Sequence, residues 1–176
     1  MDIVALVIAL LSLSIASASF FINQKWKKLE FVGQEMRAFR ADYRNQVAMR
    51  MLDWNEDEYL HPEMFKNGNP KIITICDKDI LKGLGKINTP GIYNIKEKFV
   101  RDCFDNFLDS IEALEIHIEQ GLIPFERYDP YLRYYVNIMI NKKCGRKETA
   151  IQDALSEHMT AFGYDKAQSF FKRFGI

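Results

Sequence analysis

The 176-residue chain is poor in the residues that build disulfide frameworks, metal knuckles and catalytic sets. Its three cysteines, Cys76, Cys103 and Cys144, are odd in number and have no CxxC spacing. That pattern excludes a disulfide scaffold and reads as small buried hydrophobes in a reducing compartment. The three histidines, His61, His117 and His158, fall on separate segments, so no catalytic set is legible. Net charge is zero, with 24 basic against 24 acidic side chains. No segment offers an obvious basic face, so a duplex nucleic-acid binder is not expected. Proline is absent from residues 24–61, which leaves room there for an uninterrupted helix. The most telling absence is of charge itself: none occurs between residues 3 and 22.

About 20 apolar residues at about 1.5 Å rise span the roughly 30 Å hydrocarbon core of a bilayer, so residues 1–23 read as a membrane anchor. The rival is a cleaved signal peptide, with Ala16, Ser17 and Ala18 as an A-x-A-like site. The flanks favour the anchor: Met1 and Asp2 supply no basic n-region, while Lys25, Lys27 and Lys28 follow the run. With Arg37 and Arg40 close behind, the positive-inside rule puts the N-terminus outside and the main domain in the cytosol, at an inner membrane. Trp26 suits the headgroup layer. Ala5, Ala9, Ser12, Ala16 and Ser19 recur at spacings of four and three, a small-residue stripe of the kind that packs helices in lipid. Ala and Ser are also simply common in such helices, and Ser14 and Ala18 lie off the stripe.

Beyond the anchor, Leu29, Val32, Met36, Phe39, Tyr43 and Val47 recur every three or four residues. This predicts one juxtamembrane helix within residues 24–55, running to about Leu52, whose stripe buries against its own domain or a second copy. Residues 56–176 are then expected to form one small helical domain, giving an all-α chain. Residues 71–76 are a short β-branched run, strand or helix turn, after a turn at Asn67-Gly68-Asn69-Pro70. Gly83, Gly85, Pro90 and Gly91 predict a loop. Gly83-Leu84-Gly85 lacks the third glycine and the strand–turn–helix setting of a phosphate-binding fingerprint, and no cofactor is expected. The clearest helix covers residues 94–120, with Phe99, Cys103, Phe107, Ile111, Leu114 and Ile118 on one face and Gly121 as its stop. Asp129-Pro130 starts another, with Tyr131, Leu132, Tyr135, Val136, Ile138 and Met139 as core residues. A further helix runs over 147–162, and Asp165 caps a last one ending near Phe174.

Three groups of residues invite a chemical reading. Asp53, Glu56, Asp57, Glu58, His61 and Glu63 crowd one segment, but a contiguous run rarely supplies ligand geometry, and acids beside a helix break serve as caps. No metal is expected. Glu112, Glu115 and Glu119 align on one helix, as paired carboxylates or as a solvated face. Lys142, Lys143, Arg146 and Lys147 form the densest basic group outside the juxtamembrane helix. They complement a helix C-terminus, or they bind an anion at the next helix start, with Arg127, Tyr128 and Tyr134 as neighbours.

The order of features resembles a group of bacterial single-pass proteins known as a domain of unknown function. The likeness lies in the uncharged N-terminal helix and a long helix ending near Trp54-Asn55. It continues with the Phe-rich helix from Phe104-Asp105-Asn106-Phe107-Leu108 to Ile118 and the Gly121-Leu122-Ile123 turn. It covers most of residues 20–140 and implies a helical fold without implying any site residue. The anchor-first layout is also similar to small membrane effectors of prokaryotic, type III CRISPR-like antiviral defence, some of which sense a cyclic oligonucleotide. That similarity implies a nucleotide-binding cytosolic domain. The expectation is a self-associating, non-enzymatic membrane effector, a homo-oligomer in contact with lipid that binds an anionic ligand or a protein partner. A membrane-tethered enzyme with a Cys- or Glu-based site is the alternative.

Overall fold

The computed structural model describes residues 3–66, 69–85 and 93–176, with side chains apart from those of 5, 6 and 62–70. Helix α1 (Ile3–Ala41) runs without interruption through 39 residues, about 58 Å at helical rise. Its first part is apolar and exposed, with Leu13, Ile15 and Phe21 all bare. It is long and apolar enough to cross a membrane. Two turns past its lysines the same helix enters the core, where Val32, Met36 and Phe39 are buried.

Of the 29–47 stripe, Val32, Met36, Phe39 and Val47 are buried within the chain, Leu29 is half-buried and Tyr43 is exposed. The stripe is also not one helix. Asp42 leaves helical geometry with ψ 124°, and its carboxylate accepts the N–H of Asn45 at 3.0 Å to start α2 (Tyr43–Asp53). Asn45, itself buried, donates to the Phe39 carbonyl freed by the break and to Ser110 Oγ, both at 3.1 Å. No proline or glycine marks this break; an Asp cap and an Asn side chain make it.

The second departure is a hairpin. Strand β1 (Glu56–Lys66) pairs antiparallel with β2 (Asn69–Cys76), so all-α is only approximate. Tyr59 opposes Ile73, Asp57 opposes Ile75 and His61 opposes Lys71. Tyr59, His61, Ile73 and Ile75 are buried while Leu60 and Ile72 are bare, the alternation of a half-buried strand. Only the 71–76 half was legible, because acids at 53, 56, 57 and 58 hide the alternation in β1. Two strands alone are marginal in water; these lean on the next helices, with His61 stacked 5.0 Å from the Phe99 ring. The turn residues Asn67 and Gly68 lie outside the described residues.

Helix α3 (Asp77–Leu84) takes in Gly83, the first glycine of the expected loop, and ends at Gly85. Its Gly83 lies so close to the central helix that a Cβ would sit 2.8 Å from Val100 Cγ1 and 2.9 Å from the Glu97 carbonyl. That glycine permits a close helix crossing rather than a turn. Buried Arg101 closes the end of α3, donating to the carbonyls of Gly83 at 3.0 Å and Gly85 at 2.7 Å. Pro90 and Gly91 lie outside the described residues.

Central to the core is α4 (Ile95–Glu119), started by Asn94 in a reciprocal capping box with Glu97. Phe99, Val100, Cys103, Phe104, Phe107, Leu108 and Ile111 are buried along it, as the periodicity predicts. After a 3-10 turn (Phe125–Arg127) come α5 (Asp129–Ile140), α6 (Thr149–Phe162) and α7 (Asp165–Lys172). Leu132, Val136, Ile138 and Met139 are buried as expected, but Tyr131 stands out under the Arg40 guanidinium, 5.4 Å from its ring centre.

Candidate functional site

The basic loop between α5 and α6 is drawn against the C-terminal end of α2. Lys147 is buried, and its Nζ donates to the Trp54 carbonyl at 2.7 Å and to Asp77 at 2.5 Å. Arg146 donates to the Asp53 carbonyl and lies 5.7 Å from the Trp54 ring centre. Tyr134 donates its hydroxyl to Asp53 Oδ1 at 2.7 Å, which raises that phenol's pKa. Cations at a helix C-terminus meet orphan carbonyls and the negative dipole end, so this arrangement is the dipole-complementing one, transferred from α5 to α2. Lys142 pairs with Asp153 at 2.5 Å on the surface, and Lys143 is exposed. Arg127 precedes α5 while the other cations follow it, so about 18 Å of helix separates them. Structure thus joins Arg146, Lys147 and Tyr134 and leaves Arg127 apart. The partners Asp53, Trp54 and Asp77 carry no sequence signal, since they lie 70 or more residues from the loop.

The glutamates of α4 have structural partners. Glu112 accepts the backbone N–H of Lys166 at 3.0 Å at the start of α7. Buried Glu115 takes a two-pronged grip from Arg173 at 2.7 and 2.8 Å. Glu119 pairs with Lys166 on the surface. Together they fasten α7 along α4. Among the thiols, Cys103 is fully buried, and burial pushes its pKa up to about 12, far from a nucleophile's range. Cys76 caps α3 beside Asp79, and Cys144 sits half-buried in the basic loop.

Two polar clusters that the sequence did not announce lie along the inner part of α1. Fully buried Tyr128 donates to Glu35 Oε2 at 2.5 Å, and burial together with that carboxylate raises its pKa. His117 Nδ1 stands 3.0 Å from Glu35 Oε1, off the line of a hydrogen bond, with the Phe31 ring 5.4 Å away. Two turns beyond Glu35, at the break between α1 and α2, Asn106 donates to Asp42 at 2.9 Å and to Asn45 at 3.0 Å, beside a groove of about 330 Å³. The first cluster ties α1 to the start of α5 beside α4, and the second ties the start of α2 to α4.

Along the apolar part of α1, Ala9, Ser12, Ala16 and Ser19 are exposed in a row; Ala5 lies on the same helix. Ser14, off the row, returns its hydroxyl to the Leu10 carbonyl at 2.9 Å, satisfied within its own helix. Comparison of the chain with protein-family models, curated proteins and solved structures found no match.

Proposed function

We propose that the chain is a single-span membrane protein of the inner membrane, N-terminus outside, acting as a non-enzymatic effector or signalling module. One observation carries this reading: α1 is both the exposed apolar rod and, through Val32, Met36 and Phe39, a wall of the cytosolic core. A rigid helix shared by anchor and domain transmits a change in either to the other. The row from Ala5 to Ser19 lets copies associate in lipid, and an anionic ligand of the domain, a cyclic oligonucleotide by architectural likeness, biases that association. For such a ligand the exposed Lys142 and Lys143 are the first contacts, because Arg146 and Lys147 already hold α2. Of the groups open to the enzyme alternative, Cys103 is sealed and the three glutamates are engaged with α7, while Cys76 and Cys144 are half-buried.

The test is crosslinking of the full-length protein in membranes, beside the double variant Ala9→Leu, Ala16→Leu. Leucine inserts at least as well but widens the stripe, so oligomers should vanish while alkali-resistant membrane association persists. A chain that stays monomeric at every expression level, with and without added cyclic oligonucleotide, overturns the effector reading.

A further inference from the structure

The loop that follows α4 is placed beside the lysines that follow the apolar run. Leu122 is 48% exposed, and with Lys27, Lys28, Phe31 and Ile123 it lines a groove of about 320 Å³. Phe31, 39% exposed, and Ile123 give it an apolar floor; the two lysines are exposed at its rim. The backbone donors of this loop are all taken. The N–H groups of Gly121, Leu122 and Ile123 all donate back to α4, at 2.9, 3.0 and 3.4 Å, and Pro124 has none to offer. Gly121 makes this wrap with φ 68°, a left-handed geometry that a side chain would oppose. A loop with its N–H groups taken enters an apolar boundary at lower cost than one with free donors. Lys27 and Lys28 lie five and six residues beyond Ile22, about 8 and 9 Å along α1, at the outer edge of headgroups that occupy about 5–7 Å on each side of the hydrocarbon.

We propose that residues 121–124 are a second membrane contact, and that the groove holds one anionic phospholipid, its phosphate on Lys27 and Lys28, its glycerol esters beside Leu122 and its acyl chains running back along the apolar part of α1. Charge complementarity at the rim and continuity with the apolar surface of α1 select a lipid as occupant. The inference rests on the anchor reading above. A lipid held there touches the anchor and the end of α4 at once, so it fixes the tilt of the domain on the bilayer.

Full-length protein carrying Leu122→Cys is incorporated into phosphatidylcholine nanodiscs with and without phosphatidylglycerol. Labelling by a membrane-impermeant maleimide is then read peptide by peptide, with native Cys144 as reference. Position 122 should be shielded in the anionic discs and labelled in neutral discs and in detergent. Replacing Lys27 or Lys28 with Gln should raise the phosphatidylglycerol content needed for half-shielding about fivefold each, the equivalent of about 1 kcal/mol per lysine at an anionic surface. Equal labelling in neutral and anionic discs by an incorporated chain overturns this proposal and leaves the anchor intact. Shielding that follows the protein-to-lipid ratio overturns it too, giving the groove to a second copy. Failure to incorporate overturns the anchor reading beneath it. Leu122→Asp, read by co-purified phosphatidylglycerol, should lose the lipid without a thiol being involved; unchanged retention counts against the proposal.

Discussion

Replacing Arg173 with alanine strands a carboxylate where water cannot reach it. The Glu115 side chain is 1% exposed and the Arg173 side chain 37%, so the two halves of the pair are not equivalent. In Arg173→Ala the desolvation of Glu115 goes uncompensated, a loss of about 3 kcal/mol. Glu115→Leu instead removes the buried charge and leaves a guanidinium free to turn to solvent, an exchange that is close to neutral for buried pairs. Lys166→Ala should change little, because that pair with Glu119 is solvated on both sides. Hydrogen exchange of the full-length protein in detergent reads the difference directly, with α4 amides as internal reference. Opening of α7 should accelerate roughly 100-fold in Arg173→Ala, the equivalent of its 3 kcal/mol. If Glu115→Leu opens α7 as much as Arg173→Ala does, uneven burial is not what fastens that helix and the reasoning fails.

Two further substitutions separate structure from chemistry. Asp77→Ala leaves the buried Lys147 ammonium with only the Trp54 carbonyl and should cost about 2 kcal/mol by thermal melting. Excess inorganic phosphate should not restore the loss, and recovery would instead give the basic loop to an anion. Iodoacetamide at about pH 8 should modify Cys76 and Cys144 while sparing Cys103 in the folded chain. Because the unfolded Cys103 thiol ionises near 9.0 and the folded one near 12, its contribution to stability is intact below pH 9 and is lost as pH rises toward 12. A Cys103 that alkylates as fast as Cys144 would show that α4 is not sealed.

Periodicity and end signals located the apolar rod, the burial face of α4 with its stop at Gly121, and helices α5 to α7 with the stop of α6 at Gly163; the caps expected at Asp129 and Asp165 instead lie in the first turn of their helices, behind Tyr128 and Tyr164. Each of these rests on neighbours within a turn or two, which sequence spacing encodes directly. The glycine at 163, with φ 77°, ends α6 as its position predicts. Tertiary structure decided the rest. The break at Asp42 needs Ser110 and Asn106 from α4, and β1 reads as acidic loop until Ile73 and Ile75 pair with it. Gly83 looks like a breaker until Val100 is seen beside it. The basic loop and the glutamate row were open to both a structural and a binding reading, because a charge cluster shows no counter-charge in sequence. Their partners Asp53, Asp77, Lys166 and Arg173 lie between 47 and 93 residues away, a separation that only packing closes.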